Sequence, residues 1–237
     1  MRTPTFPTCL LAAALALALA APGSAVPLVQ VDINDNDDTP GDLQPGFTSL
    51  LETDTAAGDS YSKSIGAILV DIDGVVSGLD DRHRATPVDG GGLTQSALYR
   101  DFVFASSSAA SSGNGLDLHV SGLTPNQKYD LTFWVFDSGS SGNRVSDWFV
   151  NGVFTYTFNG GIPPTDDADN RFTLTGMADA LGDLTVRALA NPGGSSGPNV
   201  FLNAFQIDAP PVPEPVTASL GLVGVLGLAW VMRRRTA

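Results

Sequence analysis

Between Leu116 and Ala188 the chain alternates apolar and polar residues with a period of two, and that period restricts the fold more than any other feature. "LDLHV" sets Leu116, Leu118 and Val120 against Asp117 and His119. "YDLTFWVFD" sets Tyr129, Leu131, Phe133 and Val135 against Asp130, Thr132, Trp134 and Phe136. "VFTYTF" alternates Phe154, Tyr156 and Phe158 with Val153, Thr155 and Thr157, and "LTVRA" alternates Leu184, Val186 and Ala188 with Thr185 and Arg187. Successive side chains of a strand point to opposite faces, so each segment reads as a half-buried antiparallel strand. "LVQVDI", "FTSLL", "IGAILVDI", "DFVFA", "RFTLTG" and "VFLNAFQI" extend the set. Gly- and Pro-rich turns separate them, and Asn151-Gly152 between two aromatic runs predicts a two-residue hairpin of type I′. "LTQSALYRD" alone suits a short helix. Roughly ten short strands predict an all-β fold, an antiparallel β-sandwich of jelly-roll type.

Both ends of the 237-residue chain read differently. Arg2, the apolar run Leu10–Ala20 and the small residues Gly23-Ser24-Ala25 have the order of a signal peptide cut near Ala25. That makes residues 1–25 a leader, signal peptidase a partner and export the fate. The single cysteine, Cys9, leaves with the leader, so the mature chain relies on its core rather than on disulfides. At the far end stand Pro213, Glu214 and Pro215, the apolar stretch Val216–Met232, then Arg233, Arg234 and Arg235. Seventeen helical residues span about 26 Å, enough for the hydrocarbon core, and the arginines hold the C-terminus in the cytoplasm.

This three-part tail, residues 210–237, resembles a PEP-CTERM sorting segment. The resemblance implies cleavage by an exosortase in a Gram-negative, exopolysaccharide-making bacterium. The precursor is then anchored in the inner membrane by a transmembrane helix, 216–232. The mature form belongs at the cell envelope, in the extracellular matrix or in a biofilm. A plain C-terminal membrane anchor is the alternative.

Residues 26–209 are left for one domain with one core. From Val26 to Val212 there are 24 acidic residues against eight basic ones, and all the acids but Glu52 are Asp. Asp favours turns and caps, which places these charges in loops. Such a negative body excludes nucleic acid as a partner and repels anionic polymers unless cations intervene.

"GLTPNQKYDLTFWVFD", "RVSDWFVNG" and "VFLNAFQI" resemble the galactose-binding-like, carbohydrate-binding sandwiches of bacterial surface proteins. "LDDRHRATPVDGGGLTQSALYRDFVFA" is similar to a module of such exported proteins. The resemblance covers about residues 64–208. It implies a structural or adhesive role through weak binding of exopolysaccharide or surface glycans. The Gly-Leu-Thr-Pro turn also occurs in fibronectin type III domains, a competing fold that needs only about 100 residues.

Three groups of side chains are candidates for a site. Trp134 and Phe136, alternating away from the core, form an aromatic platform for sugar rings if their face is open, or a satellite core if loops cover it. Trp148 and Phe149 are the other aromatics of interest. Arg82, His83 and Arg84 in "DDRHR", with Arg100 and Asp101 nearby, read either as a polar binding loop or as charges bracing a long connection. "DINDNDD" fails as an EF-hand, because Asp37 stands where Gly is required and Leu43 where a bidentate Glu belongs. Galactose-binding-like sandwiches often hold a structural calcium near the first strand. If first and last strands adjoin, Asp32, Asn34 and Asp35 meet Asp208 around a structural Ca2+; a solvated acidic loop is the alternative. His119 reads as an exposed strand residue. Catalysis lacks a signature: there is no Gly-x-Ser-x-Gly elbow, no His-Glu-x-x-His and no mature cysteine. The reading is therefore a binding protein, not an enzyme. A carbohydrate-active hydrolase remains the alternative, because 24 acids supply carboxylate pairs by chance.

Overall fold

The computed structural model describes residues 27–34, 43–51, 60–76, 78–105, 113–139, 142–195 and 199–209. The expected leader, the Pro-Glu-Pro tail with its apolar stretch and arginines, and Asp35 lie outside the described residues. Among the described residues no helix is long and apolar enough to cross a membrane.

The described chain is all-β. One sheet has the order β11 (Arg171–Met177), β8 (Lys128–Trp134), β14 (Ala204–Asp208), β1 (Pro27–Asn34), β2 (Thr48–Leu51). A second runs β10 (Val153–Gly160), β9 (Arg144–Val150), β12 (Leu184–Asn191), β7 (Gly115–Ser121), β4 (Ile68–Gly74), β3 (Ser60–Ile65). A small third sheet joins β13 (Phe201–Leu202), β6 (Asp101–Ala105) and β5 (Leu79–His83).

The alternation read from sequence sorts the inner faces. Leu116, Leu118, Val120, Tyr129, Leu131, Phe133, Val135, Leu184, Val186 and Ala188 are all buried. The two large sheets meet through aromatic rings. Phe133 of β8 lies 4.8 Å from Trp148 of β9, and Phe172 of β11 lies 4.9 Å from the same indole. Full burial of side chains this size contributes about 1.5–3 kcal/mol each, which makes this contact the centre of the sandwich.

One residue ties the five-stranded sheet to the small third sheet. Asn203, fully buried between β13 and β14, accepts from the Phe136 N–H at 2.6 Å and donates to the Asp101 carbonyl at 2.9 Å. Its own N–H bonds to the Trp134 carbonyl, and its carbonyl accepts from Ile33. A buried amide is tolerated when its polar atoms find partners, and here the partners come from three neighbouring strands or their ends.

The structure departs from the sequence reading in five places. "IGAILVDI" is not one strand: the chain turns at Gly66-Ala67, and Ile65 pairs with Ile68. "LDDRH" is strand β5 paired with β6, not a connecting loop. β1 and β2 run parallel where antiparallel neighbours were expected, and the thirteen intervening residues allow the crossover that parallel pairing needs. "SALY" forms a single 3-10 turn, Ser96–Tyr99. The fifth departure is a bulge in β10, where the register shifts between Phe154 and Tyr156. One extra residue reverses facing, so Phe154 pairs with Phe149 on the outer face while Tyr156 pairs with Trp148 on the inner one. The hairpin before it agrees with expectation: Asn151 and Gly152 have φ of 50° and 78°, as a type I′ turn requires.

Candidate ligand-binding surfaces

At one corner of the sandwich, the third sheet stacks Phe102, Phe104 and Phe201 with ring centroids 5.1–6.1 Å apart. Three arginines cover these rings. The Arg82 guanidinium lies 4.6 Å from the Phe104 centroid, Arg84 5.4 Å from Phe102, and Arg144 4.9 Å from Phe201. Parity explains the first two: Arg82 and Arg84 project from the same side of β5 and its continuation. Arg84 donates to buried Asp137 at 3.0 Å, which also accepts from the Gly139 N–H at 2.8 Å. A Cβ on Gly139 would stand 2.9 Å from the guanidinium, so only glycine lets Arg84 lie against this turn. His83 points the other way, with Nδ1 2.8 Å from buried Asp101. Thus Arg82 and Arg84 come together with Arg144, which the sequence reading did not include, and His83 does not join them. Beside them a shallow recess, open to solvent, is lined by Asp137, Arg144, Phe158, Gly160, Gly161 and Phe201. Burial lowers the Arg144 pKa, Asp137 raises it and Arg82 lowers it again, the net direction being down.

Trp134 and Phe136 do face away from the main core, yet only 3% and 5% of their surfaces are exposed. They therefore cannot offer ring faces to a sugar, and the surface platform is corrected to a second apolar cluster. The cover is Leu93, Leu98 and Tyr99, with Phe47 edge-on to Trp134 at 5.7 Å and Tyr99 edge-on to Phe136 at 6.3 Å. Carboxylates fasten this cover. Asp167 accepts from the Thr94 N–H (2.7 Å), the Thr94 hydroxyl (2.6 Å) and the Gln95 N–H (3.0 Å), and Asp89 accepts from the Ser96 N–H. Hydrogen bonds from Ser96 hold the Asp89 pKa below its ordinary value. Burial raises that of Asp167, but the bonds from Thr94 and Gln95 outweigh it and bring it down.

The expected calcium set does not assemble. β1 and β14 are neighbours, as anticipated, but they run antiparallel, so Asp32 stands opposite Ala204 and Asp208 opposite Pro27 at the other end. Four or five residues of strand, at about 3.3 Å each, separate Asp208 from Asp32. Asp32 and Asn34 are buried side by side on the outer face of β1, and Asp32 accepts from the Gln44 N–H at 2.7 Å. Among the described residues no group of three or more His, Cys, Asp or Glu side chains is placed to hold a metal.

The outer face of the six-stranded sheet is different in kind. Across it the register aligns Asp73, Asp117, Arg187, Phe149 and Phe154 in one row, from β4 through β7, β12 and β9 to β10. Arg187 grips Asp117 with two bonds of 2.7 and 2.5 Å. Phe154 is 56% exposed and meets Phe149 edge-on at 5.7 Å. His119 is exposed beside the row, as read from sequence. Burial raises the Asp73 pKa, as do the neighbouring carboxylates Asp71 and Asp117, against a lowering by His119. Sequence reasoning missed this row. Its members occupy outward positions of their own strands, but only the cross-strand register and the β10 bulge line them up.

No protein-family model matches the chain, and no curated protein matches its sequence. Among solved structures it is similar to the ANXUR1 extracellular domain from Arabidopsis thaliana, with 12% identity and a TM-score of 0.49 over 78% of this chain and 49% of that one. The chain thus spans about half the length of that ectodomain. A family 35 carbohydrate binding module from an environmental isolate matches with 12% identity and a TM-score of 0.35, over 62% of this chain and 90% of that one. CBM35 from Paenibacillus barcinonensis matches with 17% identity and a TM-score of 0.32, over 64% and 99%. Likenesses this distant do not carry a ligand or an activity from one chain to another.

Proposed function

We propose that the folded body is a non-catalytic glycan-binding module of an exported surface or matrix protein, and that it binds along the open face of the six-stranded sheet. The observation that carries this reading is the row that runs from the Arg187–Asp117 pair through Phe149 to exposed Phe154. The apolar C–H face of a pyranose stacks on a phenyl ring, while its hydroxyls reach a guanidinium and carboxylates along the same row. One such shallow contact is weak, and a polysaccharide offering many repeats compensates through avidity. That suits a structural or adhesive role.

A hydrolase would need two carboxyl groups facing each other across a bond. Asp71, Asp73 and Asp117 instead lie on one surface in adjacent strands, and the recess at the arginine corner has Asp137 already engaged by Arg84. These placements favour binding over cleavage.

Electrophoresis of the full chain through gels containing neutral exopolysaccharide tests the reading. The parent should be retarded and Phe154→Ala should migrate nearly as it does in plain gel. Equal mobility of the parent in both gels would overturn it.

Export and sorting complete the proposal. Signal peptidase removes the leader, the tail anchors the precursor in the inner membrane, and an exosortase cuts it. Replacing Pro213, Glu214 and Pro215 by alanine should leave an exported but uncut membrane species. A variant processed like the parent would sink the sorting role.

A further inference from the structure

The row across the six-stranded sheet changes character along its length. Its β10 end is aromatic and uncharged, with Phe154 against Phe149. Its β4 end is acidic: Asp73 stands opposite Asp117, and Asp71 opposite His119. Arg187 neutralises Asp117. Among the described residues no arginine or lysine forms an ion pair with Asp71 or Asp73, and His119 is the basic side chain that the register sets beside them. Burial first, and the Asp71 charge second, push the Asp73 pKa up, so a cation over this carboxylate would favour its ionised form. The spacing links the two ends. Strands lie about 4.8 Å apart, and a pyranose unit of an extended chain has nearly that length. A glycan along the row therefore sets successive rings over successive strands. With one ring on Phe154 of β10, the fourth beyond it lies over Asp73 of β4, about 19 Å away.

Resting on the sheet-face reading, we infer that the β4 end of the row takes the ammonium group of an amino sugar. The glycan it selects is a hexosamine polymer with some of its amino groups free. An ammonium over Asp71 and Asp73 donates charge-assisted hydrogen bonds, stronger than those a hydroxyl makes. An N-acetyl group in the same place brings no charge and leaves both carboxylates unmatched. The whole body makes the same selection at longer range. With 24 acidic residues against eight basic ones, it draws a cationic polymer towards the sheet and repels an anionic one. Arg187 does not oppose the approach, because Asp117 already balances its charge.

Titration calorimetry on the full chain tests this, with a β-1,4-linked glucosamine pentamer and its fully N-acetylated counterpart as probes, at a pH that protonates the free amines. The amino pentamer should bind about tenfold more tightly, the effect of one hydrogen bond to a charged group. Asp71→Asn and Asp73→Asn should each shrink that preference towards parity. Asp130→Asn removes the same charge from the other sheet and should leave the preference intact. The amino trimer should gain far less over its acetylated form than the pentamer does, because three rings cannot cover Phe154 and Asp73 together. Equal affinity for the two pentamers would overturn the inference. So would a preference that Asp130→Asn erodes as much as Asp73→Asn, which would mean diffuse attraction of any cation, a basic peptide included. A trimer gaining as much as the pentamer would overturn it too. The two readings fail differently. If neutral polysaccharide still retards the parent through Phe154 while the pentamers bind alike, only the amino-sugar inference falls. If neither pentamer nor neutral polysaccharide binds, the sheet-face site falls and takes the inference with it.

Discussion

The two large sheets each turn an aromatic residue outward, and the two residues meet opposite fates. Trp134 on β8 is sealed beneath Leu93, Leu98, Tyr99 and Phe47. Phe154 on β10 is left more than half exposed. Strand parity decides which face a side chain takes, but a covering segment decides whether that face is wet. On the five-stranded sheet the cover comes from residues 93–99, about forty positions before Trp134 in sequence, and is pinned by Asp167 from yet another loop. On the six-stranded sheet the outer row pairs within itself, Arg187 with Asp117 and Phe149 with Phe154.

The comparison breaks most sharply on stability. Trp134→Ala should cost about 3–5 kcal/mol, as aromatic truncation in a core does. Phe154→Ala should stay within about 0.5 kcal/mol, as exposed substitutions do. Urea unfolding of both variants measures this. Similar losses at the two positions would mean that the two faces are not covered differently.

Acid should sharpen the same contrast with a smaller effect. Asp89 and Asp167 have folded pKa values below their ordinary one, so the stability they lend is present at neutral pH. It is lost as pH falls through and below about 4, where both take up protons. With Trp148 and Trp230 replaced by phenylalanine, Trp134 emission reports the cover. It should shift to the red below pH 4 before the strand signal collapses. Emission that moves only with global unfolding would show that these carboxylates do not hold the cover.

Much of this architecture was legible because strand periodicity is local. Leu131 and Phe133, or Leu116 and Leu118, need only their neighbours to declare a buried face, and Asn151-Gly152 needs only its own φ preferences. What failed was non-local. Asp32 and Asp208 were rightly placed on adjoining strands, but direction, which sequence does not state, puts them at opposite ends. Trp134 and Phe136 were rightly turned outward, but their cover lies far away in the chain. The bulge at Thr155 reversed Phe154, and Arg144 joined the aromatic cluster of Arg82 and Arg84 from about sixty positions further along the chain. Such features arise from register and loop packing, on which alternation is silent.

The central claim is that the open face of the six-stranded sheet holds glycan, and hydroxyl-radical footprinting of the full chain with and without neutral exopolysaccharide tests it most directly. Phe149 and Phe154 should be labelled in the free protein and protected when polysaccharide is bound, with Trp134 weakly labelled in both states. Protection that spares Phe149 and Phe154 while the polysaccharide is bound would place the glycan elsewhere and contradict the account.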